Sequence, residues 1–328
     1  MNGAGQGNQL RSLFFGLCLF TGSLSGSAQE VAEQQQTPAM RDLYHLSSLQ
    51  MAGRKTGSAG SELARHYLIS RLSEAGWKPC GEQWEQRFQF QANGQQMTGT
   101  NVLACLSPLS ADQQLIVLSA HYDHLGAHHE RIFFGADDNA SGVAALLEIA
   151  ARLKQTPAQH SVVLAFFDAE EMGLRGSHMF VKDNPELIRQ TALNINLDMV
   201  GRADKDELYV AGTHHTQALK DVVQAVPVNP ALRLIAGHDL PGTGQDDWTS
   251  QSDHFAFHRA GIPFLYFGVE DHADYHQPGD VAEKIQPARF MEVIGLIEQA
   301  LRQADQRLSS LPVRPSPVAA AGSAAETH

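Results

Sequence analysis

The 328-residue chain is 43% hydrophobic and 18% charged, ample for a packed core and too apolar for intrinsic disorder. Its net charge of −12 comes without any cluster of Lys and Arg, which argues against a nucleic-acid partner. No internal apolar run reaches the length of a membrane span, so the expectation is a globular protein of one large domain or two small ones.

The N-terminus reads differently from the rest. Arg11 precedes the apolar stretch 13–20, and small residues follow up to Gly26, Ser27 and Ala28. This is the pattern of a secretory signal peptide over residues 1–28, cut after Ala28. A disordered leader or an uncleaved anchor are the rival readings, and the short apolar core disfavours the anchor. Cys18 lacks the small residue before it that a lipid-anchored cleavage site requires. The expectation is export to the periplasm or the medium, with no stable membrane association after cleavage. Residues 29–40, rich in Gln and Glu, read as a flexible mature N-terminus.

A short helix is expected over 40–49 and a loop over 53–60, GRKTGSAG. Ser61 then caps an amphipathic helix with Leu63, Tyr67, Leu68, Leu72 and Ala75 on one face and Gly76 as its stop. Two strand-like stretches follow, with the turn residues Asn93 and Gly94 between them. Cys80 precedes the first and Cys105 closes the second, so a hairpin there brings the two cysteines near each other. A disulfide and a pair of buried free thiols are equally open on sequence.

Short apolar runs then alternate with helical patterns. The runs cover 115–120, 162–167, 192–197, 207–212 and 263–268; the helical patterns cover 143–153, 176–181, 216–226 and 287–301. Strands buried on both faces and separated by helices predict an α/β sheet. Residues 237–248 form a Gly/Asp-rich loop long enough to shape a pocket or act as a lid. The low-complexity stretch 309–328 reads as a disordered tail, which leaves 41–308 as the folded domain.

In such sheets ligands bind beyond the carboxyl ends of the strands. His121 and Asp123 follow the first run, Glu170 and Glu171 the second, and Asp198 ends the third. His276 lies a short loop beyond the last run, and Asp138 opens the helix after the first loop. These residues span more than 150 positions, yet all fall at one edge. Asp137 and Asp138 in GADDNASG (135–142) have a second reading, as first-turn residues that complement a helix start. The company of HYD, AEE, LD and YH tips the balance toward a metal site.

Imidazole and carboxylate together suit zinc. His121 and Asp198 serve one ion, Glu171 and His276 the other, and one Asp bridges the two. Glu170 is then free to act as general base, and Asp123 orients the His121 ring. The remaining histidines, His124, His128, His129, His214, His215, His238 and His272, read as loop or surface residues because this set is already full. Asp137 reads as a capping or supporting residue and Asp168 as a strand-end turn residue. Asp253 and His254 read equally as pocket lining or as the cap of a short helix.

The ordered motifs HYDHLG, GADDNASG, DAEEMGLRGS, NLDMVG, SDHFAF with AGIP, and YHQPGD resemble the co-catalytic di-zinc aminopeptidases of the secreted bacterial leucine aminopeptidase and aminopeptidase Y type. The likeness runs from about Asn101 to about Ile285. It implies two Zn2+ per chain held by His121, Asp138, Glu171, Asp198 and His276, with Asp138 as the bridge and Glu170 as the base. It also matches Tyr275 to a Tyr that stabilises the oxyanion. Other members supply that Tyr from just ahead of the SDH motif, where this chain has Trp248 and Thr249. The implied fold is one α/β domain with a central mixed, mostly parallel eight-stranded sheet. The implied substrates are peptides with a free N-terminus. A glutaminyl cyclase, or a carboxypeptidase or amidohydrolase on the same scaffold, are the alternatives.

Overall fold

The computed structural model describes Met1, Gly3 and residues 36–92, 94–106 and 114–312. The expected signal peptide, most of 29–40 and nearly all of the tail lie outside the described residues. From Thr37 onward the chain forms one compact unit.

Its chain order is helix α1 (Pro38–Leu46), α2 (Ala59–Glu74), strands β1 (Lys78–Pro79), β2 (Glu85–Ala92), β3 (Gln95–Cys105), β4 (Leu115–His121), β5 (Gly126–His128) and β6 (Arg131–Phe133). Helix α3 (Gly142–Gln155), β7 (Ser161–Phe167), α4 (Arg175–Asp183), α5 (Pro185–Gln190), β8 (Thr191–Leu197) and β9 (Glu207–Ala211) follow. The chain ends with α6 (Ala218–Gln224), β10 (Arg233–Ala236), α7 (His254–Arg259), β11 (Phe264–Gly268) and α8 (Pro287–Gln306).

The five apolar runs all become strands of one mixed sheet, ordered β1-β3-β7-β4-β8-β11-β9-β10 with β2 paired to β3. Among the described residues it has nine strands rather than eight, the two-residue β1 included. Parallel pairing is less general than expected. It joins β7, β4, β8 and β11, and again β9 with β10, while the pairings of β1, β2 and β7 with β3 and of β11 with β9 are antiparallel. The β2–β3 hairpin at one side and the reversal at β11–β9 account for this.

The central strands are buried on both faces. In β7, Val162, Leu164 and Phe166 join the larger core with α1, α2, α3 and α8, whereas Val163, Ala165 and Phe167 face a smaller cluster containing Phe180 of α4 and Phe257 of α7. That alternation is why the sequence shows a continuous apolar run rather than a period of two.

Two details of α2 differ from the sequence reading. Ser58, not Ser61, is its N-cap and accepts a hydrogen bond from the Ser61 N–H at 3.2 Å. Leu63 is exposed and Ala64 takes the inward position, because the buried stripe runs at four-residue spacing through Ala64, Leu68 and Leu72. Cys80 and Cys105 form a disulfide at the join of β1 and β3.

Candidate metal centre

Because β7, β4, β8 and β11 run parallel, their carboxyl ends share one edge. His121 is the last residue of β4, Asp198 directly follows β8, and Glu170 and Glu171 sit on the turn after β7. His276 comes from the loop beyond β11, and Asp138 from the distorted turn Ala136–Ser141 ahead of α3.

All five side chains read as metal-holding converge here. His121 Nε2 lies 3.2 Å from Asp198 Oδ1 and 3.4 Å from Asp138 Oδ1. On the other side, His276 Nε2 is 3.0 Å from Asp138 Oδ2 and 3.3 Å from Glu171 Oε2. Asp138 therefore presents one oxygen to each group. His124, which the sequence reading left on the surface, is buried in the second group, its Nδ1 2.7 Å from Glu171 Oε1 and 3.6 Å from Asp138 Oδ2. Ligand atoms of His121, Asp138 and Asp198, and separately of His124, Asp138 and Glu171, lie within 4.8 Å of one another. Oxygen and imidazole donors so gathered fit a divalent zinc-type cation.

The turn bearing Asp138 resolves the two readings of GADDNASG. Capping falls to Asn139, whose Oδ1 accepts the Gly142 N–H at 2.9 Å while its Nδ2 donates to the Leu197 carbonyl. A Cβ at Gly142 would sit 2.6 Å from that same carbonyl, so only glycine fits between α3 and β8. Asp137 turns away, accepting the Gly201 N–H at 2.6 Å and pairing with His272 at 3.1 Å. His272 is thus a supporting residue rather than a surface one. The Asp280 carboxylate accepts the N–H groups of both Asp137 and Asp138, at 2.9 to 3.0 Å. Asp138 is left free to face inward.

Below this turn lies Arg54, from the stretch read as a plain loop. It is fully buried and donates to four main-chain carbonyls, those of Leu46, Tyr122, Phe134 and Gly135, at 2.6 to 2.8 Å. Burial lowers its guanidinium to about 10, against the opposing pull of Asp138, Asp280, Asp123 and Glu171. Thr56, two residues on, reaches both Asp123 Oδ2 at 3.2 Å and Asp168 Oδ1 at 2.8 Å. Asp123 accepts the Glu170 N–H at 3.1 Å; its main-chain carbonyl is 3.2 Å and its carboxylate 3.7 Å from His121 Nδ1. Asp168 is a buried strand-end residue that accepts the Thr100 and Ala169 N–H groups.

The electrostatics follow from crowding acids out of water. Burial raises Asp138, Glu171 adds to this, and the three nearby imidazoles oppose it. Burial also drives Glu170 well above the usual carboxylate range; His121 opposes, while Asp198, Asp253 and Glu171 reinforce it. In Glu171 the hydrogen bonds with His124 and His276 outweigh burial and hold the carboxyl well below its ordinary value. Hydrogen bonds to Asp138 and Glu171 raise His276 to about 10.

Ala169, Met199 and His276 all have left-handed backbone, with φ of 58°, 55° and 53°. Each is at or beside a functional candidate, where such strain is usually found.

A cavity of about 50 Å3 opens onto the centre, lined by Glu170, Met199, Trp248, Tyr266, Asp271 and Tyr275 among others. The Tyr275 ring stacks on His276 at 4.0 Å, and burial beside Asp138 and Asp198 holds its hydroxyl in the protonated form. Tyr266 is a second protonated phenol there that the sequence reading missed, because a tyrosine inside a strand run carries no signal of its own. Trp248 closes the loop 237–248 onto the cavity wall by stacking on His238 at 3.7 Å. His238 is therefore a half-buried packing partner of Trp248 rather than a free surface residue. Asp253 and His254 are both fully buried; His254 Nε2 donates to the Trp248 carbonyl at 3.0 Å.

Carboxylates and imidazoles gathered beyond the parallel strands of an α/β sheet define a candidate metal centre as the class of site. Residues 101–300 match Peptidase family M28, and the chain belongs to that family. It is 30% identical over 217 residues to the aminopeptidase YwaD of Bacillus subtilis, covering 63% of this chain and 45% of that protein. The chain spans about half the length of the relatives it matches by sequence. Among solved structures, a zinc aminopeptidase of Bacillus subtilis superposes with a TM-score of 0.64 at 18% identity, covering 85% of this chain and 96% of the other. Glutaminyl cyclase of Porphyromonas gingivalis superposes with a TM-score of 0.65 at 22% identity, over 82% and 97%. At these identities the superpositions speak to fold alone.

Proposed function

We propose that the chain is an exported aminopeptidase that removes the first residue from peptides with a free N-terminus, using two zinc ions per chain. The observation that carries this reading is the pair of donor groups sharing Asp138 within a peptidase-family sheet. His121 and Asp198 would hold one ion, Glu171 and His276 the other, and Asp138 both. When bound, zinc supplies a water of lowered pKa and polarises the scissile carbonyl.

The chain's own residues do the rest. Glu170, lining the cavity between the two groups, takes the proton of the attacking water and passes it to the leaving amine. Burial raises this carboxyl well above the usual carboxylate range, which makes it a stronger base toward that proton. Tyr275 keeps its proton and donates to the developing oxyanion. Asp123 fixes the His121 ring through its Nδ1 side. The acidic lining, with Asp271 at the mouth, favours the α-ammonium of a free N-terminus.

The test is a panel of free and N-acetylated peptides, with and without a chelator, alongside metal analysis. Cleavage that requires the free amine and is lost on chelation is the expected result. Cleavage persisting on acetylated peptides would refute the aminopeptidase reading in favour of a carboxypeptidase or amidohydrolase. A peptide beginning with Gln separates the cyclase alternative, which the fold likeness keeps open: release of Gln supports hydrolysis, and cyclisation with loss of ammonia overturns it. Export is supported by the Cys80–Cys105 disulfide, a bond that persists in oxidising compartments. Sequencing the mature N-terminus tests it, and a protein that retains residues 1–28 in the cytosol would refute it.

A further inference from the structure

We infer that His124 is a positioning residue for the second metal group: its Nδ1–H holds Glu171 Oε1 so that Oε2 is the oxygen offered to the ion. This rests on the zinc reading above. The Nδ1···Oε1 distance is 2.7 Å, whereas Glu171 Oε2 faces His276 Nε2 at 3.3 Å. One carboxylate oxygen is thus occupied by the His124 ring and the other faces the metal side.

The ring's surroundings assign this role over that of a fourth ligand. His124 is 1% exposed, and its Nε2 has no hydrogen-bond partner among the described residues. A histidine bound to metal through one nitrogen nearly always donates the other N–H to an acceptor. Coordination through Nδ1 would strand an N–H at Nε2 in a buried setting, which costs more than leaving an acceptor unmet. With the proton on Nδ1 instead, the donor is satisfied by Glu171 and only a lone pair goes unused.

The ring is also locked in place. A Cβ built on Gly135 would lie 2.5 Å from His124 Cγ and Cδ2, so the ring occupies the space that any larger residue there would fill. Its Nδ1 also lies 3.6 Å from Asp138 Oδ2, and the ring meets the His276 ring edge-on, 5.8 Å between centroids. His124 therefore stands between the turn that carries Asp138 and the rim ligand His276, and it fixes the carboxylate between them.

The experiment is zinc titration against a competing chelator on the full mature chain, comparing the parent with His124→Asn, His124→Gln and His124→Phe. The amide nitrogen of Asn reproduces the position of Nδ1–H, and that of Gln the position of Nε2. The expectation is that one zinc site weakens by about 10- to 100-fold in His124→Phe and His124→Gln and recovers in His124→Asn, while the other site is unchanged. Cobalt-substituted His124→Asn should keep the parent's absorption spectrum, since no ligand has been lost. A parent that binds no zinc overturns the metal reading and this inference together. A parent that binds two ions, with His124→Phe indistinguishable from it, overturns the role of His124 alone. An altered cobalt spectrum in His124→Asn would make His124 a ligand and overturn the positioning role. Metal-free thermal unfolding of each variant separates a folding defect from lost affinity, and the Asn and Gln pair carries the test if Phe does not fold.

Discussion

Replacing Arg54 with Met should be among the most damaging single changes outside the ligand set. The guanidinium ties together the end of α1 (Leu46), the residue after His121 (Tyr122) and the entry to the Asp138 turn (Phe134, Gly135). A charge-assisted hydrogen bond contributes about 1.5–3 kcal/mol, so four give a gross stabilisation of roughly 6–12 kcal/mol. Against this stands the cost of burying the charge. Net of the attraction of the surrounding acids, the fall from 12.5 to about 10 corresponds to about 3 kcal/mol. With partial rehydration of the freed carbonyls, the expected loss is about 4 kcal/mol, in the range for breaking a buried charged contact. At about 2 °C per kcal/mol for a chain of this size, Tm should fall by roughly 8 °C. Arg54→Lys keeps the charge but not the planar fork, so it should recover only about half of the loss. Denaturant unfolding of the chelated proteins provides the assay, and zinc titration should show weaker binding in Arg54→Met because the Asp138 turn loses its anchor. A loss below about 1 kcal/mol in Arg54→Met, or a Lys variant equal to the parent, would refute the reasoning.

Glu170→Gln should lower kcat by about a thousandfold while metal analysis still finds the parent's zinc content; substantial residual turnover would remove Glu170 from the base role. Asp138→Ala should lose zinc from both groups, and a fully metallated variant would contradict the bridge. Cys80→Ser with Cys105→Ser opens a loop with a sequence separation of 25 and should cost about 3.5 kcal/mol in denaturant unfolding, whereas an unchanged midpoint would show that the bond does not constrain the unfolded chain. His254 is lowered from 6.5 to about 3 by burial, so below pH 6.5 the unfolded chain takes a proton that the fold refuses. That stability is intact above pH 6.5 and declines as pH falls toward 3, by about 3 kcal/mol at pH 4.5, and His254→Gln should remove this slope; parallel pH curves for parent and variant would refute it.

What was legible in the sequence divides along a physical line. His121, Glu171 and Asp198 could be found because each ends or closely follows an apolar run that can only be a buried strand, and parallel strands place such ends together. The helices with clear periodicity, 143–153 and 287–301, appear as α3 and α8 with modest extension. Strand β10 was missed because Arg233–Ala236 is a four-residue strand at the sheet's end, with burial too partial to leave an apolar run. Helix α7 has six residues, fewer than the two turns needed to show a period.

The supporting residues were illegible for a different reason. Donor chemistry belongs to side-chain type, so His, Asp and Glu advertise themselves as metal-holding candidates. Their positioning is done largely through main-chain groups, which every residue carries alike. Arg54 binds four carbonyls, up to 81 positions away. Asp280 accepts two N–H groups 142 and 143 positions distant, and Asn139 fixes the Leu197 carbonyl across 58. No spacing rule links such pairs, because the partner's identity does not matter to the bond. His124 shows the same limit in side-chain form. It differs from the other histidines set aside only in being three residues past His121, and a ligand set that already looked complete gave no reason to seek another. Completeness of the donor list and completeness of the site are separate questions. The second is answered by asking what restrains each carboxylate, and for Glu171 that restraint is the Nδ1 contact with His124.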